Sequence, residues 1–255
     1  MSRFMVTLIC LLLIGNFTQA QNSAQATFDE ANTLFENGDL NQALKLYKTI
    51  ESAGEVSGPL YLNMGITAVQ LDSMGLAKYY FFKATDFNRT RTQAKAALEY
   101  VNNQFSRQSA MLPKLPWDRA VQWLIEVPSA SGVFIIGFFI TISGLLLLYL
   151  GWFSRLNLEQ YTSYIITLII AGSSFAGLAF YVDYVDQRYD EAVLIVNSQR
   201  VTQNPTSESP LISIAYEGYD LTVDQWKSSE QSDWLYVRLG NGQFGWILDE
   251  GVKIL

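Results

Sequence analysis

No histidine occurs anywhere in this 255-residue chain, and its only cysteine is Cys10. These two absences exclude a great deal of chemistry. A nucleophilic triad needs an imidazole or another activating base, a zinc site needs imidazole or thiolate ligands, and a disulfide needs two cysteines. Positive charge is also scarce, with 17 Lys and Arg against 24 Asp and Glu. The deficit is uneven. From residue 183 to the end there are twelve acids and five bases, whereas residues 24–131 carry eleven acids and ten bases. Such an acidic C-terminal part argues against a nucleic-acid ligand, which needs a basic footprint, and against docking on an anionic lipid surface. No charged side chain interrupts residues 133–153 or 164–182.

Those two uncharged runs, of 21 and 19 residues, are each long enough to span a bilayer as a helix, which takes roughly 20 residues. The connection 154–163 is short, so the runs are expected to form a transmembrane hairpin. Gly137, Gly144 and Gly151 recur every seven residues on one helix face, and Gly172, Ser173, Ala176 and Gly177 give the second helix a small face for close packing. Without an intramembrane charge the hairpin reads as an anchor and not an ion path. Residues 1–20 read as a signal peptide: Arg3, then apolar Phe4–Ile14, then Thr18-Gln19-Ala20 with small residues before a cleavage point. Export of the following segment places both 21–132 and 183–255 outside the cytoplasm. Arg155, offset by Glu159, gives this orientation little support from the positive-inside rule.

Between the signal and the hairpin, a spacing of 34 residues recurs. Ala31, Ala43, Tyr47 and Ile50 correspond to Gly65, Ala77, Phe81 and Ala84. Gly38, Asp39 and, in the second copy, Asp72 supply turns. This period and these size classes resemble the tetratricopeptide repeat, a helix–turn–helix unit with small residues at its internal contact. Two repeats, about 24–57 and 58–91, and a capping helix to residue 105 form an expected all-α domain over 24–105. Its concave groove is expected at Phe28, Asn32, Phe35, Leu62, Asn63, Ile66, Val69 and Gln70, with Glu36 beside them. The basic residues of a carboxylate clamp are missing, so the resemblance implies protein or peptide binding without recognition of a free C-terminus. Two ordinary amphipathic hairpins serving as a spacer are the alternative. Residues 106–131 are expected to be a linker with Pro113 and Pro116, then a helix near 117–127. That helix either lies in the membrane interface on Trp117 and Trp123 or packs on the repeats.

Beyond the hairpin the hydrophobic period shortens to two. Residues 192–196, 211–215, 221–223, 235–239 and 244–248 are expected strands, and Asn241-Gly242 marks a hairpin turn. Trp234-Leu235-Tyr236-Val237, followed by Gly245-Trp246-Ile247, resembles the closing hairpin of a bacterial SH3 domain, and Glu217-Gly218 fits ahead of its middle strand. The expectation for 190–255 is an all-β SH3-like barrel closed by Ile254-Leu255. Its ligand face is expected at Tyr216, Tyr219, Trp226, Trp234 and Trp246, although Trp234 and Trp246 also suit a barrel core.

The order of signal, repeats, membrane hairpin and SH3-like domain resembles the E-type protein of the Bacteroides aerotolerance (Bat) group. That resemblance implies a multidomain inner-membrane protein with both soluble parts in the periplasm. It also implies partners among membrane proteins with von Willebrand A domains, near a MoxR-type ATPase, and a role in envelope or oxidative-stress tolerance. The expected function is a non-catalytic interaction scaffold without a cofactor or metal. The alternative is an envelope module that binds peptidoglycan through the SH3-like domain.

Overall fold

The computed structural model describes residues 24–105, 116–153 and 158–255. The expected signal peptide and most of the linker lie outside them. The described chain divides into two compact units. One contains residues 24–105, 191–222 and 231–255, and the other contains 116–190 and 223–230.

The first unit begins with five helices: α1 (24–36), α2 (Leu40–Ser52), α3 (Gly58–Gln70), α4 (Met74–Thr85) and α5 (Arg91–Gln104). Ser57 starts α3 by accepting a hydrogen bond from the Leu60 amide, with Pro59 in the first turn. The helices pair as α1–α2 and α3–α4, and the two pairs end their first helices alike. Asp39 N donates to Leu34 O at 2.9 Å, and Ser73 N donates to Ala68 O at 2.9 Å. Each bond spans a residue with positive φ, Gly38 (84°) and Asp72 (57°). Donors, acceptors and turn residues are all related by the 34-residue interval, so the repetition seen in the sequence is also a repetition of backbone geometry. Ala31, Ala43, Tyr47, Leu60 and Met64 form the first core, and Ala68, Ala77, Phe81 and Val101 the second. A Cβ at Gly65 would lie 2.4 Å from the Phe81 ring, so only glycine admits that ring. Burying Tyr47 and Phe81 stabilises this unit by about 2–3 kcal/mol each.

The remaining residues of this unit supply most of a seven-stranded antiparallel sheet: β1 (Tyr189–Leu194), β2 (Ser198–Thr202), β3 (Leu211–Tyr216), β4 (Asp220–Asp224), β5 (Trp234–Leu239), β6 (Phe244–Leu248) and β7 (Val252–Ile254). The spatial order is β3-β2-β6-β5-β4-β1-β7. The expected closed barrel is therefore corrected to an open sheet with β3 and β7 at its edges. The chain end does not bridge those edges, because the three-residue β7 pairs with β1, placing Ile254 opposite Ala192. β2 was not among the expected strands. Ser198-Gln199-Arg200 hides its period, and only Val201 and Thr202 are buried.

The sheet docks on α4. At α4, the Gly75 amide donates to Glu217 Oε1 at 2.7 Å. Lys78 Nζ donates to Gly218 O at 2.7 Å and pairs with Asp220 at the same distance. α1 and α3 line a cleft between them.

The second unit contains α6 (Pro116–Glu126), α7 (Ser129–Phe153), α8 (Leu158–Arg188) and the short α9 (Gln225–Ser228). Ser129–Phe153 and Tyr161–Arg188 are long and apolar enough to cross a membrane. They pack as the expected hairpin. A Cβ at Gly137 would lie 2.8 Å from Gly172 O, and one at Gly172 would lie 2.2 Å from Thr141 Oγ1. Gly177 is not part of this contact, since a Cβ there meets nothing within 4 Å.

Candidate functional site: an aromatic strand face and a helical cleft

The β5–β6 hairpin turns at Asn241-Gly242, where Gly242 takes φ 84° and its amide donates to Leu239 O at 2.8 Å. This turn sets the register: Trp234 faces Leu248, Tyr236 faces Trp246, and Arg238 faces Phe244. Side chains alternate across a strand, so these six share one face. The opposite face carries Leu235, Val237, Leu239 and Ile247, all buried. Gly245 belongs to that inner face, where a Cβ would lie 2.6 Å from Val201 Cγ1. The Gly-Trp pair thus serves two faces. Glycine lets β2 approach, and tryptophan stands outward.

On the outer face the rings of Tyr236, Phe244 and Trp246 pack together, with Trp234 on the same face. Tyr236 meets Trp246 edge-on at 5.2 Å and stacks on Phe244 at 6.3 Å. The Arg238 guanidinium lies 5.6 Å from the Phe244 ring centre. Phe244 is 51% exposed, and Trp234, Tyr236 and Trp246 are half-buried. An exposed aromatic patch rimmed by polar groups is a typical recognition surface. Of these residues only Trp234 and Trp246 belong to the ligand face expected from sequence. Alternation in Trp234-Leu235-Tyr236-Val237-Arg238 was the signal for the rest.

The other expected ligand-face residues lie elsewhere. Tyr216 and Tyr219 pair edge-on at 5.7 Å, on either side of the Glu217-Gly218 turn that docks on α4. Trp226 lies on α9 in the second unit, edge-on to Tyr184 at 5.2 Å. The Arg188 guanidinium there lies 5.5 Å from the Trp226 ring and donates from Nη2 to Asp224 Oδ2 at 2.7 Å. Burial works to raise the Asp224 carboxyl, but hydrogen bonds from Arg188 and the Lys227 amide outweigh it and hold the group below the usual carboxylate range.

The helical part contains a cleft of about 300 Å³ lined by Asn32, Phe35, Glu36, Asn63 and Ile66. Four of these residues are among the expected groove positions, and Glu36 is the one expected beside them. Asn32 Oδ1 accepts from Tyr47 Oη at 2.6 Å and from Asn63 Nδ2 at 2.9 Å, which fixes both amides across the two helix pairs. Burial pushes the Tyr47 hydroxyl up, keeping it a donor. Phe28, Leu62 and Val69 instead pack partly buried against the two cores, and Gln70 is exposed at the end of α3.

Residues 180–253 match the GW (Gly-Tryp) dipeptide domain, a bacterial SH3-like, cell-wall-binding domain. The match contains the whole β5–β6 hairpin and its Gly245-Trp246 pair. No curated protein and no solved structure matches the chain. Among the described residues no group of His, Cys, Asp or Glu is arranged to hold a metal ion.

Proposed function

We propose that this chain is a membrane-anchored, non-catalytic protein that binds the bacterial cell wall through the outer face of β5–β6. The observation that carries this reading is the aromatic row Trp234, Tyr236, Phe244 and Trp246, with Arg238 at its end, inside the stretch similar to the GW domain. Flat rings supply apolar contact area at small conformational cost, and Arg238 supplies a cation for a carboxylate of a stem peptide. The two apolar helices hold the protein in the inner membrane, with the sheet on the periplasmic side.

The test is sedimentation of the full-length protein, in mild detergent, with purified peptidoglycan. The wild type is expected in the pellet. Phe244→Ala, an exposed site, is expected to weaken binding roughly tenfold, equivalent to a contact of about 1.4 kcal/mol. A wild-type protein that stays in the supernatant would sink the reading.

The Asn32–Asn63 cleft favours a second reading. Here the helix pairs are tetratricopeptide repeats, and their groove holds a segment of another membrane protein. The protein is then a scaffold of the Bat type, linked to envelope or oxidative-stress tolerance.

A further inference from the structure

The second unit carries aromatic side chains that the cell-wall reading does not use. α7 and α8 are antiparallel, so the start of α7 and the end of α8 share one end of the hairpin. α6 packs against both helices near that end, with Trp117 64% and Trp123 60% exposed. α9 reaches the same end from a distant part of the sequence. There Trp226 is 52% exposed and stands against Tyr184.

Helix geometry fixes the depth of that contact. The uncharged run 164–182 has 19 residues, or about 28 Å at roughly 1.5 Å per residue, close to the ~30 Å hydrocarbon core. Tyr184 then lies about 3 Å beyond the core and Arg188 about 9 Å beyond, while the headgroup layer is about 5–8 Å deep. Trp226, in ring contact with Tyr184, falls at headgroup depth.

The local charges favour one kind of lipid. Arg188 lies among the rings of Tyr184, Tyr189 and Trp226, at 5.1–5.5 Å from their centres, and its charge is matched by Asp224. Asp183, Asp186 and Asp190 stand close along the chain. Lys227 stands beside Trp226 in the chain, but these acids outnumber it, and such a neighbourhood opposes anionic lipid but not a zwitterionic headgroup layer. Indole and phenol rings prefer that layer, where one end is apolar and the other wet.

We infer that Trp226, held on Tyr184 and Arg188, is a membrane-interface anchor that sits with Trp117 and Trp123 in the headgroup layer of a zwitterionic bilayer. It is thus a lipid contact and not part of the cell-wall site. This inference rests on the membrane-hairpin reading and is independent of the sheet's ligand.

The experiment reconstitutes full-length wild type and Trp226→Phe in phosphatidylcholine vesicles and takes the difference of their tryptophan emission. Carbonate extraction first establishes insertion. The difference signal is expected to lose more intensity to lipid spin-labelled at the headgroup than to lipid labelled deep in the acyl chain, and little to aqueous iodide. Strong quenching by iodide with none from either lipid would overturn the anchor while leaving the hairpin intact. Release of the protein by carbonate would overturn the hairpin and the anchor together. Unchanged peptidoglycan sedimentation of Trp226→Phe is also expected, and a loss there would return Trp226 to the cell-wall site.

Discussion

Lys78 stands at the junction of helices and sheet. Its side chain is 4% exposed, and its ammonium meets Gly218 O, Asp220, and the rings of Phe82 and Phe105 at 5.8 Å. A lysine this deep survives because every direction offers a partner. Lys78→Ala leaves Gly218 O and the carboxylate without that donor. Asp220 is 38% exposed, so water recovers part of the loss. The expected cost is about 2–3 kcal/mol, with Lys78→Met less severe because the apolar stem remains. Hydrogen exchange of full-length protein in detergent checks this, with faster exchange expected across 216–222. Gly218 is constrained at the same place, with φ 79° and space for a Cβ only 2.1 Å from the Phe105 ring.

Among the elements, the α7–α8 hairpin depends on backbone contact more than on side-chain bulk. The Gly137 and Gly172 backbones meet with no room for a Cβ on either. In a bilayer, apolar side chains gain nothing by leaving lipid for a helix neighbour, so closeness of this kind is what favours association. Gly172→Leu is expected to push the helices apart and to lower the thermal denaturation midpoint in detergent, at a cost of about 1–3 kcal/mol. Gly177→Leu, facing open space, is expected to stay within about 0.5 kcal/mol of wild type. Equal effects from the two would show that the packing face is misassigned. The sequence made the small-residue stripe visible but could not separate Gly172 from Gly177. They lie five residues apart, and only the partner helix decides which one it touches.

For the whole molecule, the decisive arrangement is within the first unit. The sheet docks on α4 through Gly75 and Lys78, and the cleft opens between α1 and α3. The two candidate surfaces, the cleft and the β5–β6 row, then share no residue. Changes at sites with no common partner add independently. Asn63→Ala with Ile66→Glu is expected to abolish co-purification of membrane proteins while leaving peptidoglycan sedimentation unchanged, and Phe244→Ala is expected to do the reverse. A mild-detergent pull-down run beside the sedimentation assay measures both. Recovery of the same proteins with the Asn63/Ile66 variant would leave the helices as a spacer.

The sequence alone determined whatever depends on local period and on residue size. The 34-residue interval, the uncharged runs and the Asn-Gly turn each restrict the backbone within a few residues, so the helix pairs, the membrane-length helices and the β5–β6 hairpin were legible. Partners far apart in the chain were not. Nothing in the local sequence pairs Lys78 with Gly218 and Asp220, about 140 residues away. Trp226 is an expected ligand-face residue by sequence, and only the fold shows that Tyr184 and Arg188 stand against it. The expected barrel failed for the same reason. Strand alternation says which side of a residue is buried, but not which edge the last strand will join. Only the tertiary structure decided that β7 pairs with β1, that the sheet stays open, and that it docks on α4.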